Sequence, residues 1–182
     1  MRKEDEPRYG SVAPALADAR LDTVSPLVPD DNVAAVIVVD DCYLLQLRDD
    51  KQGIFFPNHW GCFGGGLEQG ESAVAGLYRE LEEELGLRPD PGTVRFFTRF
   101  DFDFGFAGLP AIWRIFYEIA LTPPQFGRLA LGEGSDMRLF APVAILTSAI
   151  QLAPYDAFAL WMHINRSRLA RTPAPCDRVN SR

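Results

Sequence analysis

Two short apolar runs, rich in branched side chains, open the patterned part of the chain. Val33 to Val39 and Cys42 to Leu47 are joined at Asp40-Asp41, which predicts a β-hairpin. Further along, a helix is predicted from about Ser72 to Leu85, with Ser72 as its N-cap and Gly86 as its stop signal.

Apolar and polar positions alternate strictly beyond Pro91, which predicts a strand with one buried face. Its apolar positions are Phe96, Phe100, Phe102 and Phe104. Its polar positions are Arg99, Asp101 and Asp103. Residues 105–110 then predict a turn, and Ile112 to Leu121 predicts a return strand. The apolar positions in register on this second strand are Trp113, Ile115, Tyr117 and Ile119.

Three shorter signals complete the series. Met137 to Phe140 predicts a short strand, Pro142 to Ala149 a short helix, and Tyr155 to about Leu169 an amphipathic closing helix. The order of hairpin, helix, hairpin, strand and helix predicts an α+β fold or a layered αβα arrangement. We expect one domain over residues 32–170, between a flexible N-terminal arm at 1–31 and a disordered tail at 171–182.

Composition narrows the classes of partner. The chain has 25 acidic and 18 basic side chains, a formal net charge of -7, and its field should therefore repel nucleic acid. A small phosphate-bearing substrate could still bind if metal ions supplied positive charge. The cysteines have no metal-ligand spacing and are odd in number, which favours a reducing cytoplasm. No signal peptide or membrane-spanning run is apparent, so no membrane partner is expected.

The predicted helix carries two stripes. On a wheel of 3.6 residues per turn, five apolar side chains fall within an arc of roughly 100° and should face the core. These are Val74, Leu77, Tyr78, Leu81 and Leu85. Glu80, Glu83 and Glu84 share an adjoining arc, while Glu82 points elsewhere.

A cluster of glutamates on a helix is often only a solvated acidic face. Here Glu80 repels both Glu83 and Glu84 at helical spacings, and no lysine lies between them to compensate. A divalent cation would resolve this repulsion, because hard cations such as Mg²⁺ prefer carboxylate oxygens and bind substrate phosphates in their remaining positions. A glycine-rich turn at Gly64-Gly65-Gly66 precedes the helix and lets backbone approach that edge.

The segment from Gly65 to Leu87, GGLEQGESAVAGLYRELEEELGL, resembles a complete Nudix box. Its fixed positions are occupied by Gly65, Glu71, Arg79, Glu80, Leu81, Glu83, Glu84, Gly86 and Leu87. The order of the flanking elements also resembles the Nudix domain, an αβα sandwich around a mixed sheet. One departure is Phe63, which stands where many family members have a proline before the glycines.

The resemblance implies a role for each matching residue. Glu83 and Glu84 would bind metal, and Glu80 would be a further ligand or the base that activates water. Arg79 would orient these carboxylates, Glu71 would be an outer ligand or hydrogen-bond acceptor, and the Gly64 carbonyl would complete the coordination. Glu133, in the later segment LGEGSDMRLF, resembles an acidic residue that enters Nudix sites from a loop; its alternative is an ordinary loop glutamate.

Weaker signals concern substrate binding. Arg48 resembles an arginine that contacts phosphate in the family, although a surface arginine is an equal alternative. Phe56 and Trp60, in the loop GIFFPNHW, offer aromatic faces for a base, with core packing as the alternative. The histidines His59 and His163 lie far apart in sequence and give little support to a histidine-centred mechanism.

The resemblance therefore implies a hydrolase with Mg²⁺ as its cofactor and Mn²⁺ as an alternative. The leading hypothesis is cleavage of the diphosphate linkage in a nucleoside diphosphate joined to another group. The alternatives are a nucleoside triphosphate pyrophosphohydrolase and a non-catalytic module that senses a nucleotide. The expected partner is a small nucleotide substrate, and a homodimer is left open.

Overall fold

The computed structural model of the chain describes residues 32–103, 105 and 111–169. The predicted N-terminal arm at 1–31, the tail at 171–182, Phe104 and most of the predicted turn at 105–110 lie outside the described residues.

The described strands form one mixed sheet. Their bounds are β1 Asn32–Val39, β2 Cys42–Leu47, β3 Trp60–Gly61, β4 Val94–Phe102, β5 Ile112–Leu121 and β6 Asp136–Phe140. They are ordered β3-β2-β1-β5-β4, and β6 also pairs with β2. β1 and β5 are parallel, whereas the other pairs are antiparallel. Both predicted strand pairs, β1–β2 and β4–β5, are confirmed.

The helices are α1 Ala73–Leu85, α2 Pro123–Phe126, α3 Pro142–Leu146 and α4 Pro154–Leu169, with a 3-10 turn at Pro91–Thr93. The predicted limits of α1 are confirmed: the Ser72 hydroxyl accepts the Ala75 N–H, and Gly86 ends the helix in the left-handed region at φ 61°. The pattern of apolar and polar residues did not predict β3, α2 or the 3-10 turn. α3 ends at Leu146, three residues before the predicted limit, because Ser148 has a positive φ of 54° that a helix cannot continue.

Helices cover the sheet from both sides, which is the layered αβα arrangement expected of an α+β chain. Leu77, Leu81 and Leu85 of α1 are fully buried in a core that also contains Val33 of β1. A second core contains Leu160 of α4 together with apolar side chains from β1, β2 and β5, including Ala34, Leu45 and Phe116. The sheet therefore separates an α1 side from an α4 side.

Two predicted core positions were wrong. The Val74 residue is 45% exposed, because Ala73 and the preceding Leu67 pack against the core at the first turn of α1. Phe96 is 62% exposed, because a β-bulge between Phe96 and Thr98 interrupts the alternation. The adjacent Phe97 packs into the α4-side core instead.

The segment at 60–66 positions the glycine-rich turn between β1 and β2. Gly61 pairs with Gln46 of β2. Farther along, the N–H groups of Ala35 and Val33 of β1 donate to the carbonyls of Phe63 and Gly65, at 2.8 and 2.9 Å. This segment is therefore hydrogen-bonded to both strands of the first hairpin.

Across residues 32–103, 105 and 111–169, none of the helices combines the length and the apolar character that crossing a membrane requires.

Candidate active site

Arg79 lies at the centre of the acidic edge of α1. Its guanidinium donates to Glu71 at 3.1 and 3.0 Å, to Glu80 at 2.8 Å and to Glu83 at 3.2 Å, and it also donates to the Gly66 carbonyl at 2.8 Å. The expectation that nothing compensates the repulsion among these glutamates was therefore wrong, because Arg79 supplies the positive charge that no lysine supplies. Arg79 ties α1 to the glycine-rich turn.

The ion pair between Arg79 and Glu71 shifts the pKa values of the two residues in opposite directions. Hydrogen bonds from Arg79 hold the pKa of Glu71 below its usual value, and the Glu68 backbone N–H contributes in the same direction. The same bonds, with those to Glu80, raise the pKa of Arg79. Glu71 is accordingly held in its ionised form by two hydrogen bonds from the guanidinium.

Glu84 is buried, with 5% of its surface exposed, so the alternative of a solvated acidic face does not hold for this residue. One carboxylate oxygen accepts the Gly64 backbone N–H at 2.7 Å, and the other accepts Nε2 of Gln46 at 3.0 Å. Burial raises the pKa of Glu84 to about 7, against these two hydrogen bonds. Gln46 was missed at the sequence level, where its only signal is a polar side chain inside the apolar run of β2.

Glu80 lies directly against the glycine-rich turn. A Cβ at Gly65 would come within 2.6 Å of the Glu80 carboxylate, so a side chain at that position would displace it. Burial raises the pKa of Glu80, and the charges of Glu83 and Glu133 add to that effect. The carboxylate is thus held beside Arg79 and under the influence of two further acids.

Gly64 adopts φ +129°, a conformation in which a side chain is strained, and a Cβ there would collide with the Val33 carbonyl. Its N–H is used by Glu84. The role of its carbonyl as a metal ligand stays a prediction.

The donor set around α1 fits a hard divalent cation in its chemistry. Four carboxylates, those of Glu71, Glu80, Glu83 and Glu84, lie at one edge, and oxygen ligands of this kind are what Mg²⁺ and Mn²⁺ prefer. As they stand, no three His, Cys, Asp or Glu side chains among the described residues converge as ligands of one ion. The Arg79 guanidinium instead provides the positive charge to three of the four.

Glu133 lies on a loop that packs against the end of α1. The Gly132 N–H donates to the Glu84 carbonyl at 2.7 Å, and the Ala130 N–H donates to the Leu85 carbonyl at 3.2 Å. Glu133 itself is exposed, and its charge is close enough to raise the pKa of Glu80. Its participation in the site stays a prediction.

The three predicted substrate-binding residues lie toward the α4 side rather than among the carboxylates. Nε of Arg48 donates to the Phe55 carbonyl at 2.8 Å. The Phe56 ring lies 5.5 Å from the ring of Tyr155. The Trp60 ring lies 4.7 Å from the Phe140 ring, within the core on that side.

A buried ion pair on the α4 side was not predicted. Nε of Arg114 donates to Oδ1 of Asp156 at 3.0 Å, and the two residues are 4% and 0% exposed. Oδ2 of Asp156 accepts the Cys62 N–H at 2.9 Å. The one sequence signal for this pair is Arg114 itself, a charged residue within the otherwise largely apolar strand β5.

Comparison with known proteins agrees with this geometry. Residues 29–157 match the family model described as NUDIX domain. A curated relative, "Nucleoside triphosphatase NudI" of Salmonella arizonae, is 46% identical over 54 residues, which span 30% of this chain and 38% of that protein. The MutT protein of Methanosarcina mazei Go1 superposes with a TM-score of 0.62 at 20% identity, over 79% of this chain and 99% of that chain. The NUDIX domain of Shewanella oneidensis NrtR, complexed with ADP ribose, gives a TM-score of 0.61 at 18% identity, over 83% and 97%.

Proposed function

This chain belongs to the Nudix family, and on that premise we propose that it hydrolyses a phosphoanhydride bond of a small nucleotide with the help of a divalent cation, Mg²⁺ or Mn²⁺. The observation that carries the proposal is the arrangement of Glu71, Glu80 and Glu83 around Arg79, beside the buried Glu84. We propose residues 32–170 as the catalytic domain and the cytoplasm as its location.

Glu83 and Glu84 would hold the cation, with Glu80, Glu71 and the Gly64 carbonyl completing the set. When bound, the cation would supply positive charge that offsets the negative charge of the phosphate oxygens and so makes the phosphorus atom open to attack by water. Arg79 keeps the carboxylates in place before substrate arrives. The hydrogen bonds of Gly64 and Gln46 fix the orientation of Glu84.

Glu80 is suited to accept the proton of the attacking water. Burial raises its pKa toward neutrality, and a base whose pKa is nearer the working pH accepts a proton more effectively. Its carboxylate is held between the Arg79 guanidinium and the Gly65 backbone, so both its position and its raised pKa suit this role. Glu133 would add a second acid from the loop beside the end of α1.

Two substrate classes are supported by different observations. The name of the Salmonella relative, a nucleoside triphosphatase, favours a nucleoside triphosphate pyrophosphohydrolase, but the match covers only 38% of that relative. The ADP ribose bound to the NrtR domain favours a nucleoside diphosphate joined to another group. A nucleotide-binding module without turnover is the remaining alternative, and the nucleotide panel described below distinguishes it.

Product release from a nucleotide panel, with and without Mg²⁺, tests the proposal. The panel contains nucleoside triphosphates, nucleoside diphosphate sugars and ADP ribose. We expect metal-dependent release from one class, lost in Glu83→Gln and retained in Glu82→Gln, because Glu82 bonds to Arg88 away from the acidic edge. Binding of a nucleotide without release in the wild-type protein would favour the sensing module. Release that is indifferent to Glu83→Gln would overturn the proposed site.

A further inference from the structure

The Arg114 side chain is buried, and one of its donors is not used by the residues that the structure describes. Its Nη2 is buried, and it has no hydrogen-bond partner among the residues that the structure describes. Asp156 takes only the Nε donor of this side chain, at 3.0 Å. Because buried polar groups are nearly always paired, and an unpaired charged donor is costly, this arginine nitrogen calls for an acceptor that the described residues do not supply.

We propose that Arg114, held by Asp156, donates a hydrogen bond to a carbonyl oxygen on the base of the nucleotide whose phosphates bind at α1. This inference rests on the proposed function. It makes Arg114 a specificity-determining residue and favours bases that carry a carbonyl group over adenine, which has none.

The surroundings of Arg114 suit a planar base. Its guanidinium carbon lies 4.8 Å from the Tyr155 ring centre and 5.7 Å from that of Phe116. Phe55 and Phe56 pack against the small cluster that contains Tyr155. Aromatic rings provide stacking surfaces, and the guanidinium provides the hydrogen bond that distinguishes one base edge from another.

The local charge also favours an acceptor. Asp156 is acted on by both Arg114 and Arg48, so two cations lie near one carboxylate. The Asp156 carboxylate is already committed to Nε of Arg114 and to the Cys62 N–H. A carbonyl oxygen therefore meets excess positive charge, whereas an amino group would meet a donor that repels it.

This proposed subsite and the acidic edge of α1 are anchored on one stretch of backbone. The Cys62 N–H donates to Asp156, and the Gly64 N–H donates to Glu84. Two residues of extended chain span about 7 Å, which is comparable with the length of a nucleoside. One nucleotide can therefore place its phosphates near Glu84 and its base near Arg114.

The loop at 53–58 would have to move for a base to enter. Its aromatic side chains now pack over Tyr155, and the Arg48 side chain holds it through the Phe55 carbonyl. Phe56 has φ 51° and Asn58 has φ 58°, positive values that side chains rarely adopt. These backbone angles raise the free energy of the present loop conformation, which makes it easier for a base to displace the loop.

Kinetics on a base-varied panel test the inference. The probes are GTP, CTP and UTP, which carry carbonyl groups, and ATP, which does not. We expect the wild-type protein to prefer at least one of the first three to ATP by on the order of tenfold in kcat/KM. Arg114→Lys, which keeps a positive charge beside Asp156 but removes the planar Nη2 donor, should abolish most of that preference by lowering kcat/KM for the carbonyl-bearing nucleotides more than for ATP. Arg128→Lys at an exposed position is the matched control.

A binding arm separates this inference from the proposed function. Calorimetry of the same triphosphates with Glu83→Gln, and with Glu83→Gln combined with Arg114→Lys, measures base preference without turnover. If Arg114→Lys fails to fold by circular dichroism, Arg114→Gln with Asp156→Asn replaces the ion pair by a neutral pair and should also lose the preference.

Each failure has its own signature. A base preference in calorimetry, with no turnover of any nucleotide by the wild-type protein, would overturn the proposed hydrolase activity and support the subsite. Turnover without base preference in either arm would overturn the subsite and leave the hydrolase standing. An equal loss for ATP and for the carbonyl-bearing nucleotides in folded Arg114→Lys would show that the ion pair is structural only, and would also overturn the inference.

Discussion

The Glu84 carboxylate accepts the backbone N–H of Gly64 at 2.7 Å, which joins the last turn of α1 to the glycine-rich turn. Since the same carboxylate also accepts Nε2 of Gln46, a buried acid is fixed by one strand, one turn and one helix. The part of the acidic edge formed by Glu84 thus belongs to the folded framework, whereas Glu83 lies exposed beside it.

Glu84→Gln should lower metal-dependent turnover by at least about 100-fold while the protein stays folded. Glutamine retains an oxygen for the Gly64 N–H and removes a charge that burial disfavours, so we expect the melting temperature to stay within about 4 °C of the wild-type value. Kinetics and circular dichroism on the same preparations measure both, with Glu82→Gln as the exposed control. A folded variant with wild-type turnover would exclude Glu84 from the catalytic centre.

Gly65→Ala should reduce turnover far more than Gly66→Ala. A Cβ at Gly65 would lie 2.6 Å from the Glu80 carboxylate, whereas a Cβ at Gly66 has no heavy atom within 4 Å. The neighbouring glycines thus make a matched pair in which one substitution moves a proposed base and the other does not. We expect a loss on the order of tenfold or more in kcat for the first and less than about twofold for the second, since small misplacements of reacting groups are costly. Equal effects would argue against a role for the position of Glu80.

Saturating Mg²⁺ should raise the melting temperature. A ligand that binds only the folded state stabilises it by about 2.7 kcal/mol at 100 times its dissociation constant, which corresponds to a rise of roughly 5–10 °C for a chain of this size. Relief of repulsion between Glu80 and Glu83 should contribute. Glu83→Gln should shrink the rise and Glu82→Gln should preserve it. An unchanged melt, with Glu80→Gln stabilising equally in the presence and absence of metal, would return the acidic edge to the status of an ordinary surface.

Acid should destabilise the fold through His163. Nδ1 of His163 is hydrogen-bonded with the Tyr43 hydroxyl at 2.8 Å, and its Nε2 lies 3.1 Å from the Glu118 carboxylate and 3.0 Å from Nη1 of Arg166, which also pairs with Glu118. Burial lowers the pKa of His163 below 6.5, so the unfolded chain binds the proton first as the pH falls through that value. Stability should therefore decline below pH 6.5, by at most about 1.4 kcal/mol per pH unit from this group.

Denaturant unfolding between pH 7.5 and 5 measures this decline. Glu118 acts in the same direction at lower pH, since its pKa is held below the usual value and its contribution is lost as the pH falls below about 4.5. His163→Gln should flatten the upper part of the curve. A curve that keeps its slope in this variant would assign the acid sensitivity to another group.

Short-range patterns explain why so much of the fold could be predicted from sequence. The limits of α1 follow from its own cap residues, Ser72 and Gly86, and those of β5 from apolar positions within one strand. The β-bulge beside Phe97 could not be predicted, because the bulge changes which face a side chain occupies without changing its residue type.

The site residues also divide into those whose proximity the sequence predicts and those whose contacts it does not predict. Glu80, Glu83 and Glu84 share an edge through helical spacing alone, so their proximity was predictable. The burial of Glu84 depends on Gln46, 38 residues away in sequence, and the Arg114–Asp156 pair joins residues 42 apart. No periodic pattern encodes contacts at such separations, because packing of the sheet against α1 and α4 creates them.

Glu133 is the part of the site that depends most on a loop. The Gly132 N–H donates to the Glu84 carbonyl, so the backbone before Glu133 is fixed against α1. Gly134 adopts φ +88°, so the backbone after Glu133 bends sharply. If its carboxylate acts in the reaction, Glu133→Gln should lower kcat on the order of 10²-fold and change KM much less, because the loss falls on the transition state. A structure with Mg²⁺ and a non-hydrolysable nucleotide gives the geometry. A Glu133 carboxylate more than about 10 Å from those of Glu83 and Glu84 in that complex, with kcat unchanged in the variant, would remove it from the site, since coordination does not reach so far even through water.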